Sequence, residues 1–296
     1  KRKQGYSQID LIGKTGVEKA YEQYLRGVPG QVRIKKDSSG NAVGEKEQIP
    51  SLQGDALVLW LDLELQQKLQ AALQESLDRL GVAKGAAIAM DPQTGGVLAM
   101  VSLPGFDPNV FSRTISQKEW DSLRQDPKTP LFNRAISGIG FPTGSVIKPL
   151  VALNALERGI ITEDTHIYAP SEICVWNKYA EQDECFRDWT YHGDTDVKRA
   201  IAESENTFFY MIGGGYKDQK GLGPQAIKDF LSLFGWGKKT GIDIPGEGQG
   251  ILPDLTNDWR LGDTYHFSIG QGSFAVTPIQ VAVAFSAIAN GGQLLQ

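Results

Sequence analysis

Gly140-Phe141-Pro142-Thr143-Gly144-Ser145-Val146-Ile147-Lys148-Pro149 runs from a loop of glycines and prolines straight into an apolar helix. Ser145 and Lys148 stand three residues apart, so on a helix they share one face and the amine comes within reach of the hydroxyl. Pro149 is tolerated only near a helix start, because it has no N–H and its ring collides with the preceding turn. That puts Ser145 in the first turn, where free N–H groups and the positive end of the helix dipole favour an alkoxide or oxyanion. Leu150, Val151, Leu153 and Leu156 supply the apolar face that anchors the helix. A lysine set in such a wall has its ammonium destabilised by desolvation, and the neutral amine is the form that accepts a proton. The stretch predicts a serine acyl-transfer centre. A capping serine followed by a solvated lysine is the plainer alternative.

Further along, Ser204-Glu205-Asn206 separates two segments read as helices, Val197 to Glu203 and Thr207 to Gly213. A hydroxyl and an amide two apart at such a break project into one cleft, although serine and asparagine are also ordinary capping residues. Glu203 and Glu205 are weaker candidates for a general base. The three histidines, His166, His192 and His266, are too scattered for a histidine-dependent triad.

The surrounding chain reads as a mixed α/β layer, with helices against a mainly antiparallel sheet. A strand is expected at Ala56-Leu57-Val58-Leu59-Trp60. A helix follows, capped by Asp62 and stopped by Gly81, with Leu65, Leu69, Leu73, Leu77 and Leu80 on one face. Ala86 to Met90 and Gly96 to Ser102 form a hairpin around Asp91-Pro92-Gln93-Thr94-Gly95. Ile227 to Phe234 reads as an amphipathic helix, and Val276 to Ala289 as a buried one. Residues 163–195 read as a long irregular loop of the kind that shapes a substrate site. That loop carries Cys174 and Cys185, for which a disulfide, free thiols and a zinc site from Cys174, Asp183, Cys185 and His192 all remain open; the spacing lacks the usual Cys-x-x-Cys of zinc sites.

Residues 1–54 read as part of a smaller domain and residues 55–296 as the main one. With 296 residues and 41% hydrophobic content, the chain supports a sizeable core. A net charge of -5, from 30 basic and 35 acidic residues well mixed, excludes the basic field that nucleic-acid binding requires. The longest apolar run, Phe274 to Ala289, is broken by Pro278 and Gln280 and falls short of a membrane span. The abrupt start at Lys1 and end at Gln296 read as cut ends, with targeting signals expected upstream.

Ser-x-x-Lys followed by Ser-x-Asn gives two of the three active-site motifs of penicillin-binding proteins and class A β-lactamases. Gly13-Lys14-Thr15-Gly16-Val17-Glu18, Tyr21-Glu22 and Leu25-Arg26-Gly27 are similar to the non-catalytic pedestal of class B penicillin-binding proteins. Asp91-Pro92-Gln93-Thr94-Gly95-Gly96-Val97-Leu98-Ala99-Met100, Asn133-Arg134-Ala135, Ser268-Ile269-Gly270-Gln271-Gly272 and Val276-Thr277-Pro278 resemble their transpeptidase domain. Over nearly its whole length the chain thus resembles a class B penicillin-binding protein of the elongation type.

The resemblance implies a penicillin-binding transpeptidase fold, like that of serine β-lactamases, preceded by a pedestal remnant over residues 1–54. It implies a D,D-transpeptidase acting on peptidoglycan stem peptides that end in D-Ala-D-Ala, with β-lactams as mimics of that substrate and no cofactor. Ser145 would be the nucleophile and Lys148 its base; Ser204 and Asn206 would relay the proton and orient lysine or substrate. The backbone N–H of Ser145 would form half of the oxyanion hole. A membrane-embedded glycan polymerase is the implied partner, and an anchor upstream of Lys1 would hold the domain outside the cytoplasmic membrane. Lys239-Thr240-Gly241 matches the third motif by letters, but it follows the helix stop Phe234-Gly235-Trp236-Gly237 and leads into Pro245, a poor edge strand. It reads as structural, with the catalytic Lys-Thr-Gly expected after Gln296. A serine β-lactamase or β-lactam sensor is the first alternative, opposed by the pedestal-like residues. A non-catalytic scaffold is the second, opposed by the intact Ser145, Lys148, Ser204 and Asn206.

Overall fold

The computed structural model describes residues 6, 10–44, 47–256 and 258–295; the chain ends at Lys1 and Gln296 lie outside them. The chain begins with two short helices, α1 (Gly16–Ala20) and α2 (Glu22–Leu25), and an exposed antiparallel pair, β1 (Gln31–Arg33) with β2 (Glu47–Ile49). This small region touches the main body where the Tyr21 hydroxyl donates to the Asp243 carboxylate.

Helix α3 (Leu63–Leu80) forms where the leucine periodicity places it. The Asp62 side chain accepts from the Leu65 N–H at 3.0 Å, and Gly81 closes the helix in a left-handed cap. Leu69, Leu73 and Leu77 pack on Val101 and Leu103 of a hairpin made of β3 (Gly85–Met90) and β4 (Val97–Leu103). Gln66 clamps the outer edge of β4 from both sides, donating to Met100 O at 2.8 Å and accepting from Met100 N at 2.7 Å. The hairpin's other face meets Ile279 and Val283 of the last helix, so the hairpin is sandwiched between helices.

After α4 (Gln117–Gln125), a 3-10 turn at Gly144–Ile147 leads into α5 (Lys148–Glu157). Then come strands β5 (Ile167–Ala169), β6 (Glu172–Asn177), β7 (Gln182–Arg187) and β8 (Gly193–Thr195). The chain finishes with helices α6 (Val197–Ala202), α7 (Asn206–Gly214), α8 (Pro224–Leu233), α9 (Leu261–Ser268) and α10 (Pro278–Ala289). The main core gathers Leu150 and Val151 of α5, Phe208, Phe209 and Ile212 of α7, Leu231, Trp236, Tyr265 and Phe267. Pairing is antiparallel throughout, in four two-stranded ladders among the described residues.

Three expectations are corrected. Residues 56–60 form no strand: Val58 is 99% exposed, and Leu57, Leu59 and Trp60 line a groove of about 620 Å³ instead of pairing. Residues 163–195 are not irregular. They fold as two nested antiparallel pairs, β5 with β8 and β6 with β7, in which Ile173 and Phe186 face each other from the buried side. The zinc alternative also fails, because Cys174 and Cys185 stand opposite each other in the ladder and form a disulfide, which uses both sulfur atoms. Asp183 pairs with Trp176 on the exposed arm of that hairpin, whereas His192 is buried beside Glu203. The disulfide closes a loop with a sequence separation of 11, so replacing both cysteines by serine is expected to lower stability by about 3 kcal/mol at most. Chemical denaturation under non-reducing conditions measures this.

Candidate active site

The loop that carries Ser145 is pinned by backbone hydrogen bonds. Phe141 and Val276 exchange N–H to O bonds of 2.8 and 3.0 Å, and the Gly144 N–H donates to Gly270 O at 3.0 Å. In the 3-10 turn that follows, Ser145 and Val146 face solvent and Ile147 faces the core. Lys148, whose N–H donates to Ser145 O, is the first residue of α5 and is only 1% exposed.

Its ammonium has three protons, and among the described residues three acceptors meet them: Ser204 O at 2.6 Å, Ser204 Oγ at 3.2 Å and Asn206 Oδ1 at 2.8 Å. The Phe209 ring centroid lies 5.5 Å away. Burial pushes the Lys148 amine down to about 8, against the opposing pull of the negative charges on Asp188 and Glu205. Ser204 supplies both carbonyl and hydroxyl because its backbone is left-handed, with φ of 56°, at the break between α6 and α7. Such a conformation in a non-glycine residue costs about 1–3 kcal/mol and persists where its surroundings hold it. The arrangement gives an exposed hydroxyl one turn from an amine that is desolvated, oriented and within the physiological range of proton exchange.

Asp188 lies outside both motifs, and no spacing rule marks it, because it acts across the fold. Its side chain is fully buried, and Oδ2 accepts from Asn206 N (2.6 Å), Thr207 N (2.7 Å) and Thr207 Oγ1 (3.0 Å). Glu203 bonds Arg199 and His192, both at 2.8 to 2.9 Å, and these partners hold its carboxyl below the usual range. Glu205 is wholly buried; its Oε1 accepts from Thr195 at 2.8 Å, and burial pushes its carboxyl up. These contacts turn both glutamates to tasks other than activating Ser145. The donor groups of His192, Glu203 and Glu205 converge, but Arg199 and Thr195 close that cluster.

Lys239 is exposed and lies in no strand. The next two residues form a turn around Glu247, which accepts from Thr240 N and Oγ1 at 2.6 Å each. Thr240 and Gly241 line the groove shared with Val17, Tyr21 and Trp60, and none of Ser145, Lys148, Ser204 or Asn206 does, so this groove is separate from the Ser145–Lys148 cluster.

Residues 85–296 match the family model described as penicillin binding protein transpeptidase domain. The chain belongs to the penicillin-binding protein transpeptidase family. Residues 1–59 match a second model, that of the penicillin-binding protein dimerisation domain. The chain is 36% identical over 296 residues to peptidoglycan D,D-transpeptidase MrdA of Escherichia coli K12, covering 97% of this chain and 44% of that relative. It therefore spans about half the length of the curated relatives it matches or less. Among solved structures it resembles penicillin-binding protein 2 of Helicobacter pylori, with a TM-score of 0.78, 35% identity, and coverage of 98% of this chain and 53% of that one. A chain from a structure described as "Structural coordination of polymerization and crosslinking by a peptidoglycan synthase complex" gives a TM-score of 0.80 at 32% identity, covering 99% of this chain and 52% of that one. The family assignment accords with the antiparallel hairpin between helices and with the two motifs that meet at Lys148.

Proposed function

We propose that this chain carries the acyl-transfer centre of a peptidoglycan D,D-transpeptidase that cross-links stem peptides during cell-wall synthesis. The single observation behind this reading is the buried Lys148 ammonium, held by Ser204 and Asn206 one turn from the exposed Ser145. In its neutral form Lys148 takes the Ser145 proton as Oγ attacks the carbonyl of the penultimate D-Ala. The oxyanion that forms is met by the Ser145 N–H at the start of the helix. The proton passes to the leaving nitrogen through Lys148 and Ser204, the C–N bond breaks, and the terminal D-Ala departs. An amine from a neighbouring stem then attacks the ester, its proton returns to Ser145 Oγ, and the cross-link is made. A β-lactam presents the same carbonyl, so it acylates Ser145 by the same steps. Lys239 has no part in this reading.

Residues 1–54 are proposed as part of the pedestal and residues 55–296 as catalytic. The similarity to the peptidoglycan D,D-transpeptidase MrdA supports the reaction, and the similarity to a chain of a peptidoglycan synthase complex supports a glycan-polymerising partner. Among the described residues no helix is long and apolar enough to cross a membrane. We place the catalytic region on the outer side of the cytoplasmic membrane, where its substrate lies and where the Cys174–Cys185 disulfide is stable.

Mass spectrometry of the full-length protein treated with a fluorescent penicillin is expected to find one adduct, on Ser145. Its formation rate rises with pH through about 8, as the Lys148 amine loses its proton. No adduct on Ser145 overturns the proposal, and rapid loss of the adduct by hydrolysis would favour a β-lactamase.

A further inference from the structure

Asp188 joins the disulfide-linked hairpin to the second motif. Its N–H donates to Ser171 O at 2.8 Å, the rung that closes the base of the β6–β7 hairpin. Its buried Oδ2 gathers two free N–H groups at the start of α7 together with the Thr207 hydroxyl. Helix starts leave such N–H groups unpaired and favour negative charge. Glu205, which occupies the cap position, makes no side-chain cap bond, so α7 is capped by a residue from another element. The same Asn206 whose N–H is held by Asp188 presents Oδ1 to Lys148 at 2.8 Å.

We propose that Asp188 is a positioning residue: it fixes the first turn of α7 so that Asn206 meets Lys148, and its carboxylate is the main counter-charge of the buried ammonium. This rests on the acyl-transfer reading of Ser145 and Lys148. Among the described residues, the charges that act on Lys148 are those of Asp188, from the segment after β7, and Glu205, between α6 and α7. Asp188 in turn faces His192, with Nε2 at 3.6 Å from Oδ1, and Tyr210 of α7, whose phenol burial and this carboxylate push up to about 12. Glu205 contributes less, since burial favours its neutral form.

The test is the pH dependence of Ser145 acylation by a fluorescent penicillin in the full-length protein. Asp188→Asn keeps the shape and removes the charge. It is expected to move the rising limb to lower pH by about one unit, the size of effect of a nearby opposite charge. Thr207→Val keeps the charge and removes one donor; it is expected to lower the plateau about tenfold with the limb unmoved. A residue that merely supported the fold would lower the plateau in Asp188→Asn without shifting the limb, and that result overturns the counter-charge. A Thr207→Val plateau equal to that of the wild type overturns the positioning role, and it decides the matter if Asp188→Asn does not fold. Failure of the wild type to take penicillin would sink the acyl-transfer reading instead. The Lys148 titration, followed by the NMR shift of its ε-carbon, then tests Asp188 directly, with the same downward movement expected in Asp188→Asn and no movement overturning it.

Discussion

Lys148→Met is expected to slow penicillin acylation of Ser145 by about 10⁴-fold while leaving the protein folded. Methionine nearly matches the lysine stem in volume, so the buried wall around Phe208, Phe209 and Leu150 stays filled. Two effects on stability oppose each other. Removing the ammonium relieves its desolvation, but it leaves Ser204 O, Ser204 Oγ and Asn206 Oδ1 without their donor. The net change is expected within about 2 kcal/mol by chemical denaturation, far less than the loss in rate. Lys148→Arg sharpens the point. Arginine keeps a positive charge beside Ser204 and Asn206 but does not give up its proton in a protein. If Lys148 acts as a base, both variants lose acylation; an Arg variant with near-normal rates would show that charge alone suffices.

The second large effect lies away from both motifs, at Gly270. Its φ of 75° is left-handed, and a Cβ added there would lie 2.2 Å from Gly144 O and 2.3 Å from Thr143 Oγ1. The first of these is backbone immediately before Ser145, so relief requires the Ser145 turn itself to move. Gly270→Ala is expected to cost about 3 kcal/mol or more, combining the strained backbone with the clash. It is also expected to slow acylation at least about 100-fold, since misplacement of a reacting group by an ångström has that effect. Gly291→Ala is the matched control. It shares the left-handed backbone, with φ of 85°, and has nothing within 4 Å of the added Cβ. Its cost is expected at about 1 kcal/mol, with acylation unchanged. Denaturation curves and acylation rates on the three proteins separate strain from displacement.

The contrast between these positions shows what the sequence made legible. Ser145, Lys148, Ser204 and Asn206 belong to two short motifs with local spacing, and their polar groups announce chemistry in otherwise apolar surroundings. The helix capped by Asp62 and the hairpin around Asp91 follow from periodicity and turn residues, which are also local. Asp188 was not legible, because it caps a helix that starts 18 residues later, and a lone aspartate in a long segment carries no marker of that. The fold of residues 163–195 was missed for a related reason: its strands are short and β5 pairs with β8 across an inserted hairpin. At residues 56–60 a strand-like composition misled, since apolar side chains can line a groove as well as a ladder.

The backbone pins around the Ser145 loop bear on how the molecule is made. Gly248 N bonds Ile136 O, Ile279 N bonds Ala135 O, and the Phe141 and Gly144 contacts reach to Val276 and Gly270. Every one of these joins a segment near Ser145 to a segment more than a hundred residues later. A chain is synthesised from its N-terminus, and contacts so distant in sequence form only after the later segment exists. The serine is therefore present early, but the loop that presents it is set only once residues 248–279 have been made. Until then a nascent chain carries the hydroxyl without the backbone contacts that set its position beside Lys148.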